Sequence, residues 1–164
     1  MEPWLGGTHL DLPAVVRAVV HALELAREDV GAACAPVPGE AFDERPGQAA
    51  SLAFHLRHIP RSLDRLLTYA EGHQLSSAQM DGLKSEGEPG ATKAELLAEF
   101  HEGLDAALAR VRGFAGADLE QARGVGRKAL PTTVGGLLVH CADHTLRHVG
   151  QIVTTAKISG GSSR

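Results

Sequence analysis

The chain has 164 residues, 43% of them hydrophobic, so it is long enough for one domain with a substantial core. Its formal net charge of -4 gives no long-range attraction for nucleic-acid phosphates, and its two cysteines cannot form a disulfide framework. Because no apolar stretch is long enough to span a bilayer and the acidic start lacks a basic signal region, we expect a cytoplasmic, soluble protein without nucleic-acid or membrane partners.

Four segments have apolar residues at the spacing of an amphipathic helix. In chain order they span about residues 11–33, 49–71, 92–114 and 131–157. Pro13 fits the first turn of the first helix, and Ser51 is a suitable N-cap for the second. Thr92 caps the third helix, with Glu95 completing a capping box, and Pro131 opens the fourth.

The segments that join these helices are long and aperiodic. Residues 35–47 are rich in proline and glycine, and residues 113–129 are irregular. Residues 73–90 are polar, with at most a short helix from Ser76 to Leu83. Connections of this length allow either hand of crossover, so the spacing leaves the topology open.

The whole pattern predicts an all-α protein. Because neither strand alternation nor a repeat is present, we expect a four-helix bundle with no sheet larger than a hairpin. We expect a single domain over residues 1–164, with a core at about residues 8–158 and a tail from Ser159 to Arg164 that frays.

Three histidines recur every fourth residue in the fourth helix, and this spacing keeps them within one strip of its surface: His140, His144 and His148. On a helical wheel His148 faces the core, His144 lies at the edge of the apolar stripe, and His140 lies further toward the surface. The pair of His144 and His148 is therefore the better inward-facing HxxxH, and two such imidazoles can bind one metal ion.

A metal site needs at least one more protein ligand for useful affinity, and a facing helix is the usual supplier in a bundle. The second helix carries His55 and His58, and the wheel places His55 closer to its apolar stripe. Periodicity alone therefore favours His55. The alternative to a metal site is a polar, water-filled seam.

Several catalytic motifs are absent from the sequence: HExxH, the ExxH of di-iron bundles, GxSxG and the P-loop. No unambiguous general base appears, although Asp64 and Gln151 lie near the histidines. Asp143 is predicted to pair with Arg147, four residues on. Cys141 is predicted to be a small buried residue rather than a soft metal ligand. We interpret the remaining isolated histidines as hydrogen-bonded or exposed: His9, His21, His73 and His101.

Two blocks of the sequence resemble a known family: SLAFHLRHIPRSLDRLLTYAEG in the second helix and LPTTVGGLLVHCADHTLRHVGQI in the fourth. Over its second to fourth helices the chain resembles the DinB-like (YfiT-like) metal-binding four-helix proteins. In that family one His of the second helix, placed seven residues after a Ser or Thr cap, joins the HxxxH of the last helix. The resemblance therefore implies His58, seven residues after Ser51, as the ligand that joins His144 and His148. His55 stays the alternative.

The same resemblance implies a function. Family members resemble thiol-using S-transferases or metal-dependent hydrolases, usually with Zn or Ni, and many are dimeric. This chain is thus expected to be a metal-dependent enzyme that uses a low-molecular-weight thiol and a small-molecule substrate. The alternative is a non-catalytic helical dimer module with a structural or vestigial metal site. The valines and alanines of the first helix form a broad apolar face, which agrees with a homodimer.

Overall fold

Within residues 1–160, which the computed structural model describes, four long helices enclose one apolar core. The helices in chain order are α1 (Ala14–Cys34), α2 (Leu52–Ala70), the short α3 (Ser77–Lys84), α4 (Lys93–Arg112) and α5 (Val134–Gly160). The predicted all-α four-helix bundle is confirmed, and α3 corresponds to the short helix expected within the second connection.

The packing of the long helices settles the topology that the sequence left open. α1 packs against α5 and α4, and α2 packs against α4 and α5. The order around the bundle is therefore α1, α5, α2, α4, and the consecutive helices α1 and α2 lie diagonally opposite each other. The long connection from residue 35 to 51 crosses one end of the bundle, and it carries two short 3-10 turns, Gly39–Asp43 and Pro46–Gln48.

The N-terminal ends of the helices follow local sequence signals where these are present. The Ser51 side chain accepts a hydrogen bond from the Phe54 amide at 3.1 Å, and Thr92 and Glu95 form the predicted capping box of α4. α1 begins at Ala14 rather than near residue 11, because Pro13 is extended and no side chain caps this end.

A small hairpin precedes α5. β1 (Ala122–Val125) pairs antiparallel with β2 (Leu130–Thr133), so the sheet is no larger than expected. Pro131 was expected to open the last helix, but it lies in β2 opposite Gly124. The expectation was wrong because strand pairing holds residues 130–133 extended, so that α5 begins only at Val134.

The C-terminal end of α5 extends further than the periodicity predicted. The helix continues to Gly160, and Ser159 within it is buried, although the sequence predicted that fraying would start there. The rest of that predicted tail, residues 161–164, lies outside the described residues. No helix found in residues 1–160 combines the length and the apolar character needed to cross a bilayer.

Candidate metal centre

Three histidines converge between α2 and α5: His58, His144 and His148. One ring nitrogen of each lies within 4.8 Å of those of the other two. The Nε2 atoms of His58 and His144 are 3.3 Å apart, and the ring of His148 lies 4.5 Å, centre to centre, from each of the other two rings. These are the three residues that the family resemblance implied, and together they can hold one metal ion.

The convergence follows from the fold. α2 and α5 are neighbours in the bundle, and the four-residue step from His144 to His148 puts both rings on the strip of α5 that faces α2. The α2 cap at Ser51 fixes the start of that helix, so that His58 lies two turns into it. All three rings are half-buried, at the edge of the core rather than in its centre.

The electrostatic environment favours the neutral form of two of these imidazoles, those of His144 and His148. Burial, followed by the proximity of His148 and His58, lowers the pKa of His144 to about 4. Burial and the proximity of His58 and Arg147 also lower the pKa of His148. Because a metal binds the lone pair of a neutral imidazole, this environment favours the ligand form.

The buried carboxylate of Glu86 contacts His58 on the side of the ring that faces away from the cluster. His58 Nδ1 and Glu86 Oε2 are 2.7 Å apart, and Arg65 donates to the other oxygen, Glu86 Oε1, at 2.8 Å. Burial alone would raise the pKa of Glu86, but the hydrogen bonds from His58 and Arg65 lower it below its usual value. The carboxylate therefore accepts a hydrogen bond from the Nδ1–H of His58, which leaves the lone pair of Nε2 directed at the cluster.

His55 contacts the Nδ1 atom of His148, as Glu86 contacts that of His58. The Nδ1 atoms of these two rings are 3.0 Å apart, and His55 is only 3% exposed. Burial, followed by the charges of His148 and His58, lowers the pKa of His55 to about 4, so its ring is neutral and its Nδ1 can accept a hydrogen bond from the Nδ1–H of His148. The wheel correctly placed His55 toward the core, yet the three-residue cluster contains His58 instead.

The third ring has a weaker contact. Ser62 Oγ lies 3.5 Å from His144 Nδ1, at the limit of hydrogen-bonding distance. Phe54 stacks almost parallel on His58, with the ring centres 5.1 Å apart and the planes inclined by 14°. Each candidate ligand is thus oriented by a neighbour on the side away from the cluster.

The other candidate residues lie outside the cluster. Asp64 pairs with Arg110 on the surface. Asp143 pairs with Arg147, as predicted, and also with His140 at 3.0 Å. Cys141 is fully buried, and burial raises the pKa of its thiol to about 12, which agrees with an inert core residue.

Glu86 was missed at the sequence level. It lies in the connection between α3 and α4, where neither periodicity nor a motif distinguishes it from the nearby Glu88. Its burial, at 3% exposure, is a product of the tertiary fold and could not be deduced from its neighbours in sequence.

Comparison with known proteins gives one family match. A family model described as the DinB superfamily matches residues 22–152, which is most of the chain and includes the three clustered histidines. A comparison with curated proteins gives no match.

Proposed function

The chain belongs to the DinB superfamily, and we propose that it is a metal-dependent enzyme, a thiol-dependent S-transferase or a hydrolase, with Zn or Ni bound by His58, His144 and His148. The observation that carries this proposal is the number of clustered ligands. The cluster found in residues 1–160 has three members, and three protein ligands leave a divalent ion one open position for a reacting group. We expect the enzyme to act in the cytoplasm.

A divalent ion held by His58, His144 and His148 would supply Lewis acidity, which lowers the pKa of a water or thiol bound to it. The chain's own residues supply orientation. Glu86 accepts a hydrogen bond from His58 Nδ1, so that the His58 Nε2 that faces His144 keeps its lone pair, and His55 can accept from His148 Nδ1 in the same way. Burial is the main cause of the lowered pKa values of His144 and His148, and the nearby charge of Arg147 adds to it, so a cation also lies close to the site.

The protein's own cysteines are unsuited to act as the thiol. Cys34 and Cys141 are both fully buried, and burial raises the pKa of their thiols to about 11 and about 12, respectively. A reactive thiolate therefore has to come from a separate molecule. This supports a low-molecular-weight thiol as cosubstrate, beside a small-molecule substrate.

The metal site is tested by substitution. In protein purified without a histidine tag, His144→Ala or His148→Ala should remove the metal ion bound at this cluster, so that the metal content falls by one equivalent, with the helices still folded by circular dichroism. His140→Ala is the matched control, because the His140 side chain is partly exposed, at 44%, and contacts Asp143 instead of joining the cluster. Undiminished metal binding by the His144→Ala protein would refute the site.

The choice between an enzyme and a non-catalytic module depends on the fourth ligand. X-ray absorption at the bound metal should report three imidazoles and one light, exchangeable ligand, and a screen for thiol transfer should then show turnover that His144→Ala removes. Four protein ligands with no turnover would favour the structural or vestigial role instead.

We also expect a homodimer. Residues of α1 and α5 form a shallow apolar groove on the surface: Ala14, Val15, Ala18, Val19, Val139 and Ala142. Val139 is 53% exposed in the monomer. A partner that covered this groove would remove exposed apolar surface from water, which supports self-association.

A further inference from the structure

A second group of potential metal ligands lies at the opposite end of the sequence from the first. His9, in the segment before α1, meets His21 and Glu24, which are three residues apart on α1. The candidate ligand atoms of these three residues all lie within 4.8 Å of one another. We propose that this cluster is a second divalent-metal site, structural in role, which fastens the N-terminal segment to α1.

The donor set suits a borderline ion such as Zn²⁺. Two imidazoles and one carboxylate are ligands that zinc accepts, and a tetrahedral ion with bonds of about 2.1 Å needs its ligands roughly 3.4 Å apart. His9 Nε2 and Glu24 Oε1 are already 2.8 Å apart, so small side-chain rotations suffice to admit an ion. His21 is 7% exposed, so the side of the site that it forms is largely shielded from water.

The backbone holds His9 in an unusual conformation that aims its ring at α1. His9 has φ 56°, in the left-handed region, and its carbonyl accepts a hydrogen bond from the Leu12 amide at 3.0 Å. This turn brings the ring of His9 to 5.4 Å from that of His21, centre to centre. Left-handed backbone has a cost for a non-glycine residue, and the contacts of the His9 side chain with Glu24 and Arg112 are among those that offset it.

Arg112, at the end of α4, competes with a metal ion for this cluster. Its Nη1 donates to His9 Nδ1 at 3.3 Å, and its Nη2 lies 3.6 Å from Glu24 Oε1. With His9 Nδ1 accepting, the ring proton lies on Nε2 and is donated to Glu24. A metal at Nε2 requires that this proton move to Nδ1 and that Arg112 turn away, which its 39% exposed side chain can do.

This competition makes the site testable by a gain of affinity. Arg112→Gln removes a positive charge a few ångströms from the ion and frees His9 Nδ1 to carry its proton. It should therefore tighten Zn²⁺ binding at this site about tenfold. A cluster that served only as a hydrogen-bonded clasp would gain no affinity for zinc from this change.

The experiment measures Zn²⁺ stoichiometry by native mass spectrometry and titration on the full chain without a tag. The parent should bind two ions, and the His144→Ala protein should keep one. Adding His9→Gln to His144→Ala should remove the remaining ion, and adding Arg112→Gln instead should tighten it. His73→Ala is the control, because His73 is exposed and outside both clusters.

The outcomes for the two sites are separable. If the His144→Ala protein binds no zinc, or if its remaining ion survives both His9→Gln and Glu24→Gln, the second site is refuted while the first is untouched. If His144→Ala leaves two ions bound and His9→Gln in the parent removes one, the second site stands and the first fails. The His9 and Glu24 variants change half-buried surface residues, so they avoid the folding risk of altering His21.

Discussion

Replacing Glu86 with Gln removes a buried negative charge but keeps the size of the side chain. In the native protein the two carboxylate oxygens accept from His58 and Arg65 at 2.7 and 2.8 Å. The amide of the variant can offer its oxygen to only one of these donors. Its NH₂ group then faces the other donor, so one of the two contacts is lost.

Two effects of different size should follow. Arg65 is only 11% exposed, and leaving its charge without a carboxylate should lower the free energy of unfolding by about 2 kcal/mol. Loss of the carboxylate also weakens the orientation and basicity of His58, and changes of this kind lower metal affinity by roughly 10- to 100-fold. The variant should therefore fold, and bind metal weakly.

The assay is competition for Zn²⁺ against a chromophoric chelator, with urea unfolding of the metal-free protein measured in parallel. Glu88→Gln is the matched control, since it makes the same chemical change two residues away on an exposed side chain. If Glu86→Gln binds zinc as tightly as the parent and Glu88→Gln does, the carboxylate has no orienting role and the reasoning fails.

Three further predictions follow from other parts of the bundle. Because the pKa of His55 is lowered to about 4 in the fold, the unfolded chain binds more protons at this residue below about pH 6.5, so His55 alone should contribute a loss of about 3 kcal/mol in the metal-free protein as pH falls from about 6.5 to 4. Urea unfolding across that range measures the loss, and His55→Gln should remove this part of it. Gly103→Ala would put a Cβ atom 2.3 Å from Pro60 Cβ, so thermal unfolding should show a loss of about 1–3 kcal/mol, whereas Gly150→Ala, with open space around it, should not destabilise. Light scattering at tens of micromolar protein should give a dimer mass that Val139→Lys reduces; a monomer mass for the parent would contradict self-association.

The sequence predicted best those features that depend on residues within a single helix. The four-residue repeat in α5 identified His144 and His148, and side-chain caps marked the starts of α2 and α4, because these signals depend on residues a turn or two apart. The start of α5 was misjudged because pairing with β1 overrode the helix signal at Pro131.

Features that depend on the meeting of distant segments escaped detection. Glu86 reaches His58 from a connection without periodicity, and His9 reaches Glu24 through a single left-handed turn. His9 and His21 were predicted to be ordinary hydrogen-bonded or exposed residues, and each does have a hydrogen-bond partner. Periodicity could not predict that these side chains converge, because their convergence depends on the path of the N-terminal segment over α1.

The diagonal placement of α1 and α2 has a consequence for how the chain folds. The main partner of α1 is α5, about a hundred residues later in the sequence, so although α4 also contacts α1, most of its apolar face is covered only after the last helix has been made. An up-and-down bundle closes through neighbouring hairpins, but here the closing contacts join the two ends of the chain, which raises the contact order. During synthesis the apolar face of α1 would therefore stay exposed for most of the translation time. A chaperone that covers apolar surface would be most useful in this interval.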